Sequence, residues 1–272
     1  MRSVTPLTGG PPAEVQLPYA PLARVIAQAR FAPILAIRNP DKVASFQEAI
    51  RGTYPVLQEE RTNQIVIGPL GLPASPREEV IWRFGDREKQ PLWRVSLSAD
   101  FVALETSAYA SRADFLDRFQ HVVQALEQPF KPAQCQRLGI RYIDRMKGQA
   151  ISRIIDLIRP KILGIALPNE EQPLSLGGAV LHMMTEVALA AQEGQITARW
   201  GSLPDNATYD PNALEPIAEP SWILDLDMFT TSPVAFESEV LASTAKAFAE
   251  RIYAVFREMV TDEFLRFYGG NP

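Results

Sequence analysis

The stretch Cys135–Met146, reading Cys-Gln-Arg-Leu-Gly-Ile-Arg-Tyr-Ile-Asp-Arg-Met, constrains the fold more than any other. Leu138, Ile140 and Tyr142 alternate with Arg137, Gly139, Arg141 and Ile143. A period of two marks a half-buried strand. One strand–helix–strands–helix run lies before it and a run of similar layout follows. The stretch is therefore expected to close a first half and carry the chain into a second. The fold class that follows is α+β: antiparallel sheets, each backed by a long helix, in two weakly similar halves.

Residues 1–18 hold Pro6, Gly9, Gly10, Pro11, Pro12 and Pro18 and little to bury, which predicts a flexible arm. An N-terminal half over 19–147 and a C-terminal half over 148–272, packed with the first, complete the expected division. The first half opens with a strand from Pro21 that ends near Phe31-Ala32-Pro33. Asn39-Pro40-Asp41 reads as a helix start, with Val43, Phe46 and Ile50 inward and a stop at Gly52. A short strand is expected at Ile65-Val66-Ile67, then a loop over 68–76. Val80–Phe84, Trp93–Leu97 and Phe101–Tyr109 follow as a meander. Ser111 and Asp114 have capping-box spacing ahead of a helix with Phe115, Phe119, Val122, Val123 and Leu126 on one face, ending at Pro129.

Ile151, Ile154, Ile155 and Ile158 predict a short helix docked by its isoleucine stripe. A loop over 167–178 leads to two strands, one over Ala179–Ala191, whose alanines, methionines and leucines would also suit a helix, and one through Ile196, Ala198 and Trp200, joined by Glu193-Gly194. A proline-rich loop fills 201–220, and Trp222, Leu224 and Leu226 form a strand with Asp225 and Asp227 on its other face. Ser232-Pro233 is expected to start the longest helix, whose stripe includes Leu241, Phe248, Ile252 and Val255. A last short turn covers Asp262 to Tyr268. The run from Phe101 to Phe115 resembles that from Trp222 to Phe236, a faint sign of duplication.

Net charge is −5, which weighs against a broad nucleic-acid footprint, although a local basic strip on the central strand is compatible with it. The single cysteine, Cys135, excludes an internal disulfide and suits a reducing, cytoplasmic setting. No apolar run approaches the roughly 18 residues of a membrane span, and the N-terminus lacks a signal-peptide block. No membrane contact is expected.

Three segments carry a family resemblance: Leu17-Pro-Tyr-Ala-Pro-Leu22, Leu138-Gly-Ile-Arg-Tyr-Ile-Asp-Arg145 and Val255-Phe-Arg-Glu-Met-Val-Thr-Asp-Glu263. In these the chain resembles a sporadically distributed family of bacterial proteins of comparable length whose function has not been established. That family usually reads Arg-Tyr-Ile-Asn-Arg, where Asp144 stands here. The resemblance implies an α+β fold with antiparallel sheet and a patchy distribution typical of mobile or defence-linked genes. It implies no catalytic residues.

Arg137, Arg141 and Arg145 lie four apart, so on a strand they share a face at ~13 Å intervals. They are candidates for an anionic partner, held bidentately. The alternative is a structural ion network with Asp144, Glu105 or Asp117. Asp225 and Asp227, two apart on a strand, are weak candidates for a metal such as Mg²⁺, against a solvated sheet face. His121 and His182 stand alone and read as structural; with one cysteine they make no zinc site. No phosphate loop or GxSxG elbow occurs. No catalytic residue and no cofactor is therefore assigned, and the balance is against an enzyme.

The function expected is a non-catalytic binding or assembly module of a bacterial accessory or defence-type system. It would act through a protein partner or self-association as a homo-oligomer. The alternatives are an RNA-binding or RNA-processing protein on paired ferredoxin-like units, and a small-ligand binder with a helix-closed apolar pocket lined by Trp200, Trp222 and Met184.

Overall fold

A computed structural model describes residues 5–64, 77–164 and 182–272. The expected strand at 65–67 and the loops at 68–76 and 167–178 lie outside them. Among the described residues the fold is α+β, with ten strands, and every pairing with a described register is antiparallel.

The chain forms two compact units drawn from interleaved segments. One unit comprises 26–139 with 230–246, and the other 1–25, 140–229 and 247–272. These lines run differently from a division at 147/148.

In the 26–139 unit the strand order is β2 (Val56–Gln64), β3 (Arg77–Gly85), β4 (Trp93–Ser98), β5 (Phe101–Thr106), β1 (Leu22–Phe31), β6 (Gln134–Lys147). Helix α1 (Pro40–Ile50) starts as expected, with Asn39 Oδ1 accepting from Asp41 N at 2.9 Å and Pro40 in its first turn. Helix α2 (Arg112–Phe130) is capped by Ser111, whose Oγ accepts from Asp114 N at 3.1 Å. Pro129 does not stop it; the helix ends one residue later, against Lys131 in the left-handed region. Phe46, Phe84, Phe115 and Phe119 are fully buried in this core. The Phe46 and Phe84 rings meet edge-on at 5.5 Å. Trp82 Nε1 donates to Ile37 O at 2.7 Å, so the indole is buried without an orphaned donor.

The second unit orders its strands as β1, β6, β9 (Ser221–Phe229), β8 (Gly194–Leu203), β7 (Met183–Ala191). The last two are the hairpin expected around Glu193-Gly194. The isoleucine stripe forms three short turns, α3 (Gln149–Ser152), α4 (Ile154–Leu157) and α5 (Pro160–Leu163), in place of one helix. The break falls at Arg153, with φ −113° and ψ 14°. The break turns Ile155 outward and leaves Leu157 and Ile158 as the buried anchors.

Helix α6 (Ser238–Met259) begins later than Ser232-Pro233. Those residues instead lead into β10 (Val234–Ala235), which pairs with Cys135 and Gln134 of β6. The cap comes from outside the helix's own sequence: Glu127 of α2 accepts from Ser238 N at 3.1 Å. Farther along, Phe248, Ile252 and Val255 are buried, as their spacing predicts. Helix α7 (Asp262–Phe267) is capped by Thr261.

Residues 6–15 of the arm are tied to α6. Arg251, 8% exposed, donates to Pro6 O at 2.7 Å and Gly9 O at 2.8 Å. Its remaining donors hold Glu193 in the β7–β8 turn, at 3.2 and 2.6 Å. That contact holds the Glu193 carboxyl below its usual range. Tyr253 Oη accepts from Val15 N at 2.8 Å. No described helix is long and apolar enough to cross a membrane.

Candidate functional site

Strand β6 places Arg141 and Arg145 on one face within the same unit, two pleats apart. Arg137 shares their parity and lies in the other unit, half-buried. Arg141 grips Asp225 of β9 with two hydrogen bonds, Nε to Oδ1 at 2.8 Å and Nη2 to Oδ2 at 2.9 Å. Its Nη1 donates to Asp210 Oδ2 at 2.8 Å. Tyr209 Oη donates to Asp225 Oδ2 at 3.0 Å, and Arg199 of β8 reaches the same oxygen at 3.4 Å. The Asp225 side chain is 0% exposed and that of Arg141 17%.

The electrostatics follow from that enclosure. Burial works against the Arg141 cation, and Asp225 outweighs it, so its proton is held more tightly than usual. Burial also pushes against ionisation of Asp210, yet Arg141 holds its carboxyl below the usual range. Burial, reinforced by the charge of Asp225, raises the Tyr209 phenol. Asp225 thus accepts four hydrogen bonds from three side chains. It is not on a solvated sheet face.

The partners of Arg141 and Arg145 differ from those expected. Arg141 takes Asp225 and Asp210, while Glu105 pairs with Arg94. Arg145 donates to Glu215 O at 2.7 Å, and its Nε and Nη2 are buried with no hydrogen-bond partner. Burial pulls its proton affinity down accordingly. Asp144 points to the opposite face of β6, is 6% exposed and has no hydrogen-bond partner among the described residues. Burial pushes its carboxyl up to about 7. Sequence reasoning did not find Tyr209 or Asp210, which sit in an aperiodic proline-rich loop. The only trace there is Asp210-Pro211, a turn signal.

Asp227 is half-buried beside this cluster. Among the described residues no group of three or more His, Cys, Asp or Glu could hold a metal ion. His121 bonds Ala49 O at 3.2 Å, linking α2 to the end of α1, and His182 is exposed. Trp200 and Trp222 share one face of the sheet, with Trp200 Nε1 donating to Ile162 O at 2.7 Å. Met184 pairs with Gly201 and so has the opposite parity. The three do not line one cavity.

The other distinctive feature is the outer edge of β7. No described strand pairs with it. Met183, Thr185, Val187 and Leu189 project to one face and are half-buried; Glu186, Ala188 and Ala190 project to the other and are exposed. Its one charge, Glu186, is taken by Arg199 of β8 at 2.5 Å. The edge strand β2 is a contrast, carrying Glu59, Glu60 and Arg61 in ion pairs at 2.5 and 2.6 Å. Charged edges discourage strand addition, and apolar ones invite it.

Comparison with protein-family models, curated proteins and solved structures finds no match.

Proposed function

We propose that this chain is a non-catalytic binding and assembly module, acting through protein–protein contacts, of a bacterial accessory or defence-type system. The observation that carries this reading is the edge of β7, nine residues long, with one charge that is already neutralised within the chain. Such an edge offers a row of backbone donors and acceptors flanked by apolar side chains, which is the surface used in strand addition. The polar cluster on β6, β8 and β9 supports the same reading from the other side. Its arginine and carboxylates satisfy one another and fasten the 204–220 loop to the sheet. In this reading the two weakly similar halves, antiparallel sheets backed by long helices, are a scaffold that presents the edge.

The test is retention of protein partners from the native host's extract by the full chain and by Val187→Lys. A lysine on the open edge is expected to abolish a specific partner while leaving the fold intact. Identical partner sets for the two proteins would contradict the reading.

A further inference from the structure

Arg251 and Tyr253 lie two residues apart on α6, so their side chains leave the helix roughly 200° apart, on opposite flanks. Phe248, Ile252, Val255 and Met259 fill the arc between them that faces the core, and all four are buried. Glu250, Ala254 and Arg257 lie on the outer arc. The arm is held at both flanks. Arg251 donates to Pro6 O and Gly9 O, while Tyr253 Oη accepts from Val15 N and donates to Ala13 O at 3.4 Å. Residues 10–12 therefore pass over the outer side of the helix, as a strap does. At this crossing a Cβ added to Gly10 would meet nothing within 4 Å.

Three features distinguish this strap from a firmly packed terminus. Its four hydrogen bonds to Arg251 and Tyr253 all end on main-chain atoms. No residue from 5 to 17 is buried, and none belongs to a strand. Pro6, Pro11 and Pro12 have no N–H to leave unsatisfied when the segment lifts. Ordering the segment costs backbone entropy at every residue, against few bonds and no buried side chain. Such a segment opens while the helix beneath it stays folded. Arg251 then keeps Glu193, and its Nη1 and the Tyr253 hydroxyl lose their main-chain partners in the arm.

We infer that α6, through Arg251 and Tyr253, is a docking site for an extended, proline-rich protein segment, which residues 6–15 occupy in cis as a detachable strap. A guanidinium and a tyrosine hydroxyl that bond main-chain atoms accept another chain offering carbonyls and an amide in the same register. Proline holds such a chain extended before it binds, which lowers the entropy lost on docking. The partner's segment and the strap compete for the same atoms, so the strap is inhibitory.

The experiment titrates the full chain into a fluorescent synthetic peptide of residues 5–17 and reads anisotropy. Val15→Pro removes the amide that the strap donates to Tyr253 and leaves α6 unaltered. This variant is expected to bind the peptide several-fold more tightly than the unaltered chain. Adding Tyr253→Phe, which keeps the ring and removes the hydroxyl, is expected to weaken that binding several-fold. In the unaltered chain the Val15 amide is expected to exchange far faster than those of Phe248 and Ile252. No saturable binding to Val15→Pro, equal affinity with and without Val15→Pro, or binding indifferent to Tyr253→Phe overturns the docking site. Exchange at Val15 as slow as in α6 overturns the strap. None of these outcomes involves β7, whose reading stands or falls with the Val187→Lys comparison.

Discussion

Arg141 and Asp225 meet side-on, with guanidinium and carboxylate joined by two hydrogen bonds of 2.8 and 2.9 Å across β6 and β9. A buried pair of this kind is costly to halve and less costly to remove whole. Arg141→Met leaves the fully buried Asp225 carboxylate with only Tyr209 and the more distant Arg199, and a loss of about 3–5 kcal/mol is expected. Asp225→Leu leaves Arg141 with Asp210 alone and is also destabilising. The double variant recovers most of the loss, since the two apolar side chains pack in place of the ions. Urea unfolding of the three proteins measures this; strictly additive losses would contradict it.

Arg145 is expected to behave in the opposite way. Two of its donors are buried without partners, so the native state already bears their desolvation. Arg145→Met keeps the aliphatic stem and discards the charge. Stability is expected to stay within about 1 kcal/mol of the unaltered chain or to rise. A loss as large as that of Arg141→Met would show that the guanidinium has a structural role that its geometry does not reveal.

Asp144 makes stability depend on pH. Burial pushes its carboxyl in the folded state up to about 7, from an ordinary value near 3.8. The folded state therefore holds a proton that the unfolded state releases. Stability is full below about pH 4, falls as pH rises through the window to about 7, and levels off above it. Over that window the fall is on the order of 4 kcal/mol. Tyr268 is the titratable group whose environment senses Asp144, burial being the larger cause of its raised phenol. Asp144→Asn should remove this fall. Thermal unfolding midpoints at ~pH 5 and ~pH 8 test it, and parallel pH dependence in both proteins would count against it.

Gly201 sets how closely β7 approaches β8. At φ 155° a Cβ placed there would lie 1.8 Å from Met183 O. Gly201→Ala must push the first residues of β7 off the ladder. Faster amide exchange confined to Met183–Thr185 and their β8 partners is the expected result; protection as in the unaltered chain would refute it.

What could be read from residues alone follows the range of the forces involved. The period-2 run in β6 and the Asn39 and Ser111 caps were legible because strand pleat and capping act over two to four residues. The start of α6 was not legible. Ser232-Pro233 is a sound local start, yet β10 forms there on β6 and Glu127, distant in sequence, supplies the cap. Strand β2 gave no signal either, because Val56–Gln64 is a charged edge with no apolar alternation. The arginine series was visible as a shared face. Its partners were not, since Asp210 lies in an aperiodic loop brought to Arg141 by the fold as a whole.

The interleaving of the two units sets an order of events during synthesis. Much of the 26–139 unit leaves the ribosome early, while the other cannot be completed until residues 247–272 emerge. Until Arg251 arrives, the Pro6 and Gly9 carbonyls and the Glu193 carboxylate lack their guanidinium partner, and the β7–β8 hairpin lacks that anchor. In a nascent chain stalled before that arginine, β7 can pair with β8, but the turn between them lacks the grip on Glu193 that α6 supplies.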